Sequence, residues 1–537
     1  MHKFAELFES LDTTTSTRAK IEAMADYFRS AAAADAAWAV YVLTGRRLKR
    51  SVGPSLLRTW LSEEAGLPDW LVEETYGSVG DLAETIALLI APASAVSGST
   101  RHDVSLSEWF HRRILPLPAR TVAERRREIV GWWHELPYRE SLLVNKMLTG
   151  SLRVGVSRAL VIQALAEVFA LPRTHLERAL IGAWDPSADY WHELGRNQPS
   201  SDAGQPYPFY LASPLEGPAQ DLGDRNQWLA EWKWDGIRGQ IVRRGGRCAV
   251  WSRGEEIISE RFPEICAAAA ALPEGTVLDG ELLAWGSNGV LPFARLQQRI
   301  GRRQLSAKIL QDIPTRFIAY DLLEWGGEDW RGRSLRDRRA QLLRAGGPWS
   351  RPIGVSPAIE EPSWAGLDHL RSAARSQGVE GLMLKNWEST YGSGRQRGAW
   401  WKWKIDPYVF DGVLLYAAPG HGRRSNLYTD YTFGIWQDDG LVPIAKAYSG
   451  LTDVEIRRLD QWIRSHTRER FGMVRSVEPV HVFELAYEGI ARSPRHKSGI
   501  ALRFPRIHRW RTDKSAKDAD TLASLQQVLA DQQRDVG

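Results

Sequence analysis

The chain has 537 residues, 43% hydrophobic and 25% charged, with a formal net charge of +5 at pH 7. That length fits about three or four domains, and the composition is ordinary for a globular protein with a sizeable core. Two cysteines, Cys248 and Cys266, exclude a four-cysteine zinc module and a disulfide framework, and no run reaches the roughly 18 apolar residues of a membrane span.

The nearest apolar run, Leu82 to Val96, is interrupted by Glu84 and Pro92. The N-terminus, MHKFAELFES, carries acids where a signal peptide has an apolar stretch, so a cytoplasmic location is expected. The small net charge hides a local excess. Between Arg492 and Lys517 nine lysines and arginines stand against Asp513 alone, which suits a phosphate-rich partner as well as a solvated face.

In chain order, residues 1 to about 200 read as an all-α domain. Apolar residues recur at helical spacing over Ile21–Ala34, Leu56–Ala65, Leu142–Leu148 and Arg158–Phe169. Two basic turns lie inside it, one with Gly45, Arg46 and Arg47, the other with Gly150, Arg153 and Gly155. Glycine with arginine at a helix end can present N–H groups and cations to phosphate. A polar run rich in proline and glycine, 195–208, marks a linker. A mixed α and β domain is expected over 205–405. Its strands are Trp228–Trp234, Gly239–Arg243, Arg247–Trp251, Val277–Trp285, Arg316–Leu323, Gly381–Lys385 and Trp400–Ile405, with helices over Ser334–Leu343 and Gly366–Ser376. From 406 to 537 the pattern predicts a small β-barrel of the OB type, with strands Asp411–Ala417, Tyr431–Gln437, Val442–Tyr448 and Val480–Tyr487. A helix, Asp453–His466, interrupts these strands, and a helical tail begins near Asp518.

The chemistry concentrates in Glu231-Trp232-Lys233-Trp234-Asp235-Gly236-Ile237-Arg238. Side chains two apart on a strand share a face, so Glu231, Lys233 and Asp235 point into one pocket. A lysine between carboxylates is an odd surface decoration, but a sensible nucleophile if nearby cations or a metal depress its pKa. Further short motifs follow: Ser252-Arg253-Gly254-Glu255, Leu278-Asp279-Gly280-Glu281-Leu282, Ala319-Tyr320-Asp321, Val379-Glu380-Gly381-Leu382-Met383-Leu384-Lys385 and Trp401-Lys402-Trp403-Lys404. The set ends with Arg503-Phe504-Pro505-Arg506-Ile507-His508-Arg509-Trp510-Arg511-Thr512-Asp513-Lys514.

In order and approximate spacing this set resembles the collinear motifs of the covalent nucleotidyltransferases, and the last motif resembles that of ATP-dependent DNA ligases. The resemblance spans nearly the whole chain. The helical region is similar to the DNA-binding domain of replicative-type ligases, and the middle region to their ATP-grasp-like adenylation domain. It implies that Lys233 is the catalytic nucleophile and becomes bonded to AMP, with ATP and Mg²⁺ required. Glu231 would accept from the adenine amino group, and Tyr320 would stack on the base. Arg238 and Glu281 would contact the ribose, and Arg253 the phosphate side or the DNA end. Glu380, with Glu281, would hold the metal, and Lys402 and Lys404 would neutralise the α-phosphate. Arg503, Arg506, Arg509 and Lys514 would clamp the outer phosphates when the C-terminal domain closes, with Asp406-Pro407 as the hinge. Arg46, Arg47, Arg153, Arg423 and Arg424 are candidate DNA contacts. The expected partner is nicked double-stranded DNA, bound by a monomer, with roles in replication, repair or recombination.

The family often carries an arginine shortly before the lysine pair, and here Arg395 and Arg397 both qualify. An NAD-dependent ligase would typically carry the zinc module that two cysteines cannot build. A capping guanylyltransferase or an RNA ligase shares several motifs, but would not be expected to have the RFPR ending. A catalytically dead DNA-binding scaffold is disfavoured because every expected catalytic position is filled.

Overall fold

The computed structural model describes residues 1–46, 51–79, 81–90, 104–150, 152, 154–196, 204–287, 289–302, 304–346, 352–420, 426–494 and 496–534. The first region is helical, and its core runs from Met1 to Leu194 through Phe28, Trp38, Trp109, Trp133 and Leu165. Local chemistry sets several helix ends. Thr121 and Glu124 form a reciprocal cap at the start of Val122–Glu135. Ser157 caps Arg158–Phe169, and Tyr138–Thr149 stops at Gly150 in the left-handed conformation. The expected single helix over Ile21–Ala34 is two, Thr17–Ser30 and Ala33–Leu43. Ala31 and Ala32 are extended between them. Alanine supplies no stop signal. The break instead sets Asp35 to accept from both the backbone N–H and the hydroxyl of Ser107, at 2.8 and 2.7 Å. Here tertiary contact overrides local propensity. Among the described residues no helix is long and apolar enough to cross a membrane.

Two larger sheets build the middle region, beside a two-stranded one of Tyr210–Leu211 and Gly394–Arg395. One follows the order Ile353–Val355, Thr315–Trp325, Thr276–Gly286, Ile237–Arg244, Arg247–Ser252. The other follows Ser213–Pro214, Trp400–Lys404, Val379–Asn386, Trp228–Trp234. The first sheet packs on Pro263–Ala269 and Leu335–Gly346, the second on Trp364–Ser372. A third cluster, with Ile181, Tyr207, Trp251, Tyr391 and Trp400, joins the end of the helical region to both sheets. There Arg158 also donates to Glu255, which sits at φ 63 in the turn after Arg253.

The C-terminal region curls one sheet into a half-barrel. Its order is Gly440–Ala447, Tyr428–Gln437, Tyr408–Pro419, Val474–Val477, Thr467–Phe471. Tyr408–Pro419 pairs further with Val482–Tyr487, and that strand with Arg506–Arg511. The helix Asp453–Ser465 fills the half-barrel with Leu459 and Ile463, and Leu522–Arg534 adds Leu525 and Leu529. The chain enters this region at Asp406, which Arg371 grips from the middle region at 3.3 and 3.4 Å, while the Arg375 guanidinium lies 3.5 Å from the Tyr408 ring centre.

Asp321 shows how the motif residues divide between structure and chemistry. It accepts two bonds from Arg338, at 2.8 and 2.9 Å, and both side chains are fully buried. Removing one partner strands the other charge. Asp321→Ala should therefore cost the middle region about 3–5 kcal/mol. Calorimetry should show its unfolding transition moving down while that of the helical region holds.

Candidate active site

Strand register assembles the site. Trp228–Trp234 runs antiparallel to Val379–Asn386, with Glu231 opposite Met383, and Val379–Asn386 pairs in turn with Trp400–Lys404, with Met383 opposite Lys402. Lys233, Glu380, Lys402 and Lys404 thus arrive on neighbouring strands of one sheet. The facing sheet sets Arg238 opposite Glu281 and brings Tyr320 from the next strand. Two glycines make this approach possible. A Cβ on Gly236 would lie 2.3 Å from the Leu282 carbonyl oxygen. Gly381 sits at φ 126, and a Cβ there would lie 2.3 Å from the Trp403 carbonyl oxygen.

Between the sheets lies a cavity of about 440 Å³, lined by Glu231, Lys233, Asp235, Arg238, Arg253, Glu281, Tyr320, Glu380, Arg395 and Lys402, among others. Lys233 Nζ donates to Glu380. Burial pushes the Glu380 carboxyl up, but Lys233, Lys404 and Arg503 together hold it below the ordinary range. The Lys402 amine moves down, first through burial and then through Arg395, Lys404, Lys233 and Arg253. So many cations around one cavity mark a site that gains from an anion. Arg395 lines that cavity, whereas Arg397 is exposed and reaches Glu216 at 3.5 Å. Lys402 and Lys404 share one strand face, and Trp401 and Trp403 pack on the other side.

At the inner end, buried Glu231 accepts from Lys385 at 2.7 Å and from Arg339 at 3.1 Å. Lys385 Nζ lies 4.3 Å from the Tyr320 ring centre and 4.6 Å from that of Trp400. Arg238 is held by Asp279 at 2.7 and 3.2 Å, and Tyr391 donates to the same carboxylate at 2.6 Å. Sequence reasoning missed Lys385, Arg339 and Tyr391. The signal for Lys385 was present, because alternation puts it on the face of Met383. Arg339, on a separate helix, left none.

The closing motif is divided. Arg503 donates to Asp235 at 3.0 Å, at the cavity mouth, and Arg506 to Glu488 at 3.2 Å. Arg509 instead donates to Glu484 at 2.9 Å, and Lys514 to Asp411 at 2.5 Å. Both acids lie on neighbouring strands of the half-barrel, so these two cations are turned into their own domain rather than towards the cavity. Arg46 is half-buried. Its guanidinium donates to the carbonyls of Leu180 and Gly182, at 2.9 and 2.5 Å, and lies 4.8 Å from the Trp184 ring centre. Those inward contacts occupy the cation that the sequence placed at a DNA backbone. Arg47, Arg153, Arg423 and Arg424 lie outside the described residues.

Three family models match the chain: DNA ligase N terminus over residues 1–166, ATP dependent DNA ligase domain over 210–404, and ATP dependent DNA ligase C terminal region over 424–514. A probable DNA ligase of Koribacter versatilis is 31% identical over 99% of this chain and 97% of its own length. The chain belongs to the ATP-dependent DNA ligase family. A DNA ligase of Natronomonas pharaonis is 30% identical over 90% of each chain. The fold matches the solved structure Pmar-Lig_PreS3 at 16% identity, with a TM-score of 0.58 over 94% of this chain and 99% of that one.

In this member of the family Glu281 is enclosed by protein although part of it faces the cavity. Burial pushes its carboxyl up to about 8, against the pull of Lys233 and Arg238. An acid whose folded pKa exceeds its unfolded one stabilises the fold below the unfolded value, and that stabilisation is lost as pH rises through the folded value. Middle-domain stability should therefore fall between about pH 5 and about pH 8. Chemical denaturation across that range should show the decline in the nucleotide-free protein, and Glu281→Gln should flatten it.

Proposed function

We propose that this protein is an ATP-dependent DNA ligase that adenylates itself on Lys233 and seals nicks in duplex DNA. The observation that carries this reading is the placement of Lys233 in a cavity crowded with other cations, beside a half-buried carboxylate. A nucleophilic amine and an excess of positive charge in one enclosure suit attack on a phosphoanhydride.

The Lys233 amine, in neutral form, attacks the α-phosphorus of ATP. The nitrogen–phosphorus bond forms, the bond to the β-phosphate oxygen breaks, and pyrophosphate leaves while the nitrogen loses a proton. Lys402 and Lys404, with Arg395 and Arg253, offset the charge that builds on the phosphate. Tyr320 offers a ring for the adenine, and Glu231, fixed by Lys385 and Arg339, offers an acceptor for its amino group. Arg238 and Glu281 face the sugar. AMP then passes to the 5′-phosphate of a nick, and the adjacent 3′-hydroxyl displaces it.

The carboxylates also bear on Mg²⁺. Among the described residues no three acidic, histidine or cysteine side chains gather into a closed metal site. Glu380 and Glu281 do line the cavity with hard oxygen donors, which fits a cation that takes one or two carboxylates and completes its shell with phosphate and water. When bound, Mg²⁺ would supply further neutralisation of phosphate charge. The half-barrel is read as an OB-type domain spanning 406–537, the adenylation domain as 205–405 and the helical DNA-binding domain as 1–200. Together they would hold the duplex as a monomer, chiefly through its phosphates, so binding should weaken steeply with salt.

The test is incubation with α-labelled ATP, GTP or adenylate-labelled NAD, followed by denaturation. Label should stay on the protein from ATP only, and disappear in Lys233→Ala. Lys402→Ala should slow its appearance by roughly 100-fold or more, as loss of an electrostatic partner of a transferring phosphate does. Label from GTP would instead indicate a capping-type enzyme.

A further inference from the structure

The C-terminal domain touches the cavity mouth through two sets of charges. Arg503 reaches Asp235 at 3.0 Å and lies 3.9 Å from Glu380. The second set runs the other way. Lys404, from the middle domain, donates to Glu488 at 3.1 Å, and the second oxygen of Glu488 accepts from Arg506 at 3.2 Å. Glu488 follows the strand Val482–Tyr487, and its backbone N–H donates to the Arg503 carbonyl at 2.9 Å. The carboxylate and Arg503 are therefore fixed to one another and approach the cavity as a unit.

Charge makes Glu488 the odd member of this contact. Lys404 on one side faces Arg503 and Arg506 on the other, and without an anion between them these cations repel. Glu488 is the anion between Lys404 and Arg506, while Glu380 lies 3.9 Å from both Lys404 and Arg503, and only 24% of the Glu488 side chain is exposed. We propose that Glu488 is a positioning residue that stands in for nucleotide phosphates. It holds Lys404 and Arg506 together, and it must surrender both when a triphosphate enters. This inference rests on the ATP reaction proposed above. An entering triphosphate carries several negative charges and brings its own partners for these cations. A carboxylate competing for the same cations then opposes nucleotide binding. Glu488 thus favours closure without nucleotide and weakens the apparent affinity for ATP.

The experiment measures lysyl-AMP formation against ATP concentration in single turnover. Glu488→Gln keeps the shape and removes the charge. Its half-saturating ATP concentration should fall several-fold, up to about tenfold for the loss of one close like charge. Its rate at saturating ATP should stay within about twofold of wild type, since the groups proposed to bind the reacting phosphate are intact. Glu488→Asp, which keeps the charge, should retain the weaker ATP dependence, and Glu488→Ser should repeat the Gln result should the amide disturb folding. A purely structural role predicts a lower saturating rate with no gain in ATP affinity in either neutral variant, and that result would overturn the proposal. If wild-type protein forms no lysyl-AMP from ATP, the proposed reaction falls and this inference with it. If wild type reacts normally and neither neutral variant gains affinity, Glu488 alone has been misread.

Discussion

Lys233 and Glu380 meet across two antiparallel strands, where the register shifts between Val379 and Leu382, and the rest of the site depends on that meeting. The pairing of Trp228–Trp234 with Val379–Asn386 brings a lysine and a carboxylate together across 147 residues of sequence. An ammonium and a carboxylate placed half-buried are tolerable together and costly apart. The pair therefore keeps a potential nucleophile ordered at the cavity wall. The surrounding lysines and arginines crowd further positive charge into the same enclosure, where burial and then these cations move the Lys402 amine down. On the reading proposed here, the incoming phosphate resolves the conflict by satisfying the cations and freeing the amine to react.

The second constraint is that these cations come from two domains. Lys402 sits on a strand of the middle domain, and Lys404 sits at the far end of the same strand, where it meets Glu488. Arg506 lies on a strand of the half-barrel, and Arg503 on a two-stranded sheet of the same C-terminal region, Gly489–Arg492 with Ile500–Arg503. Beyond Lys404 the chain passes directly through Asp406 into the second domain, with Arg371 and Arg375 holding that entry. A small change of backbone there would carry Arg503, Glu488 and Arg506 away from the cavity together, because Glu488 and Arg503 are joined through the backbone. On the reading proposed here, a domain that neutralises pyrophosphate at one moment and admits a duplex at the next is well served by polar, partly exposed contacts. Such contacts contribute little each and break readily.

Much of the fold was legible because motif and periodicity coincide. The strand predicted at Trp228–Trp234 and the helix at Arg158–Phe169 have those bounds in the structure. Glu231 and Lys233 both line the cavity, as alternation groups them, and Trp401 and Trp403 pack in a cluster of their own on the strand that carries Lys402 and Lys404. What stayed hidden was non-local. Arg339 lies 108 residues from the Glu231 carboxylate it holds, on a helix whose pattern reads as ordinary amphipathic packing. The strand Thr467–Phe471 is largely exposed and carries Arg468, Glu469 and Arg470, so no apolar alternation announces its hairpin with Val474–Val477. The closing motif is strongly basic in sequence, with Asp513 its one acid. Only the acids on adjacent strands, Asp411 and Glu484, decide which of its cations face inward to the half-barrel and which reach the cavity.

The central claim is that one lysine serves two partners in turn because the half-barrel closes for ATP and opens for DNA. The direct measurement is the distance between dyes on the middle and C-terminal domains, followed through one catalytic cycle by single-molecule energy transfer. The account predicts a short distance before and during lysyl-AMP formation, a longer one when nicked duplex binds the adenylated protein, and a return after sealing. Sealing that proceeds at full rate with the distance unchanged throughout would contradict it.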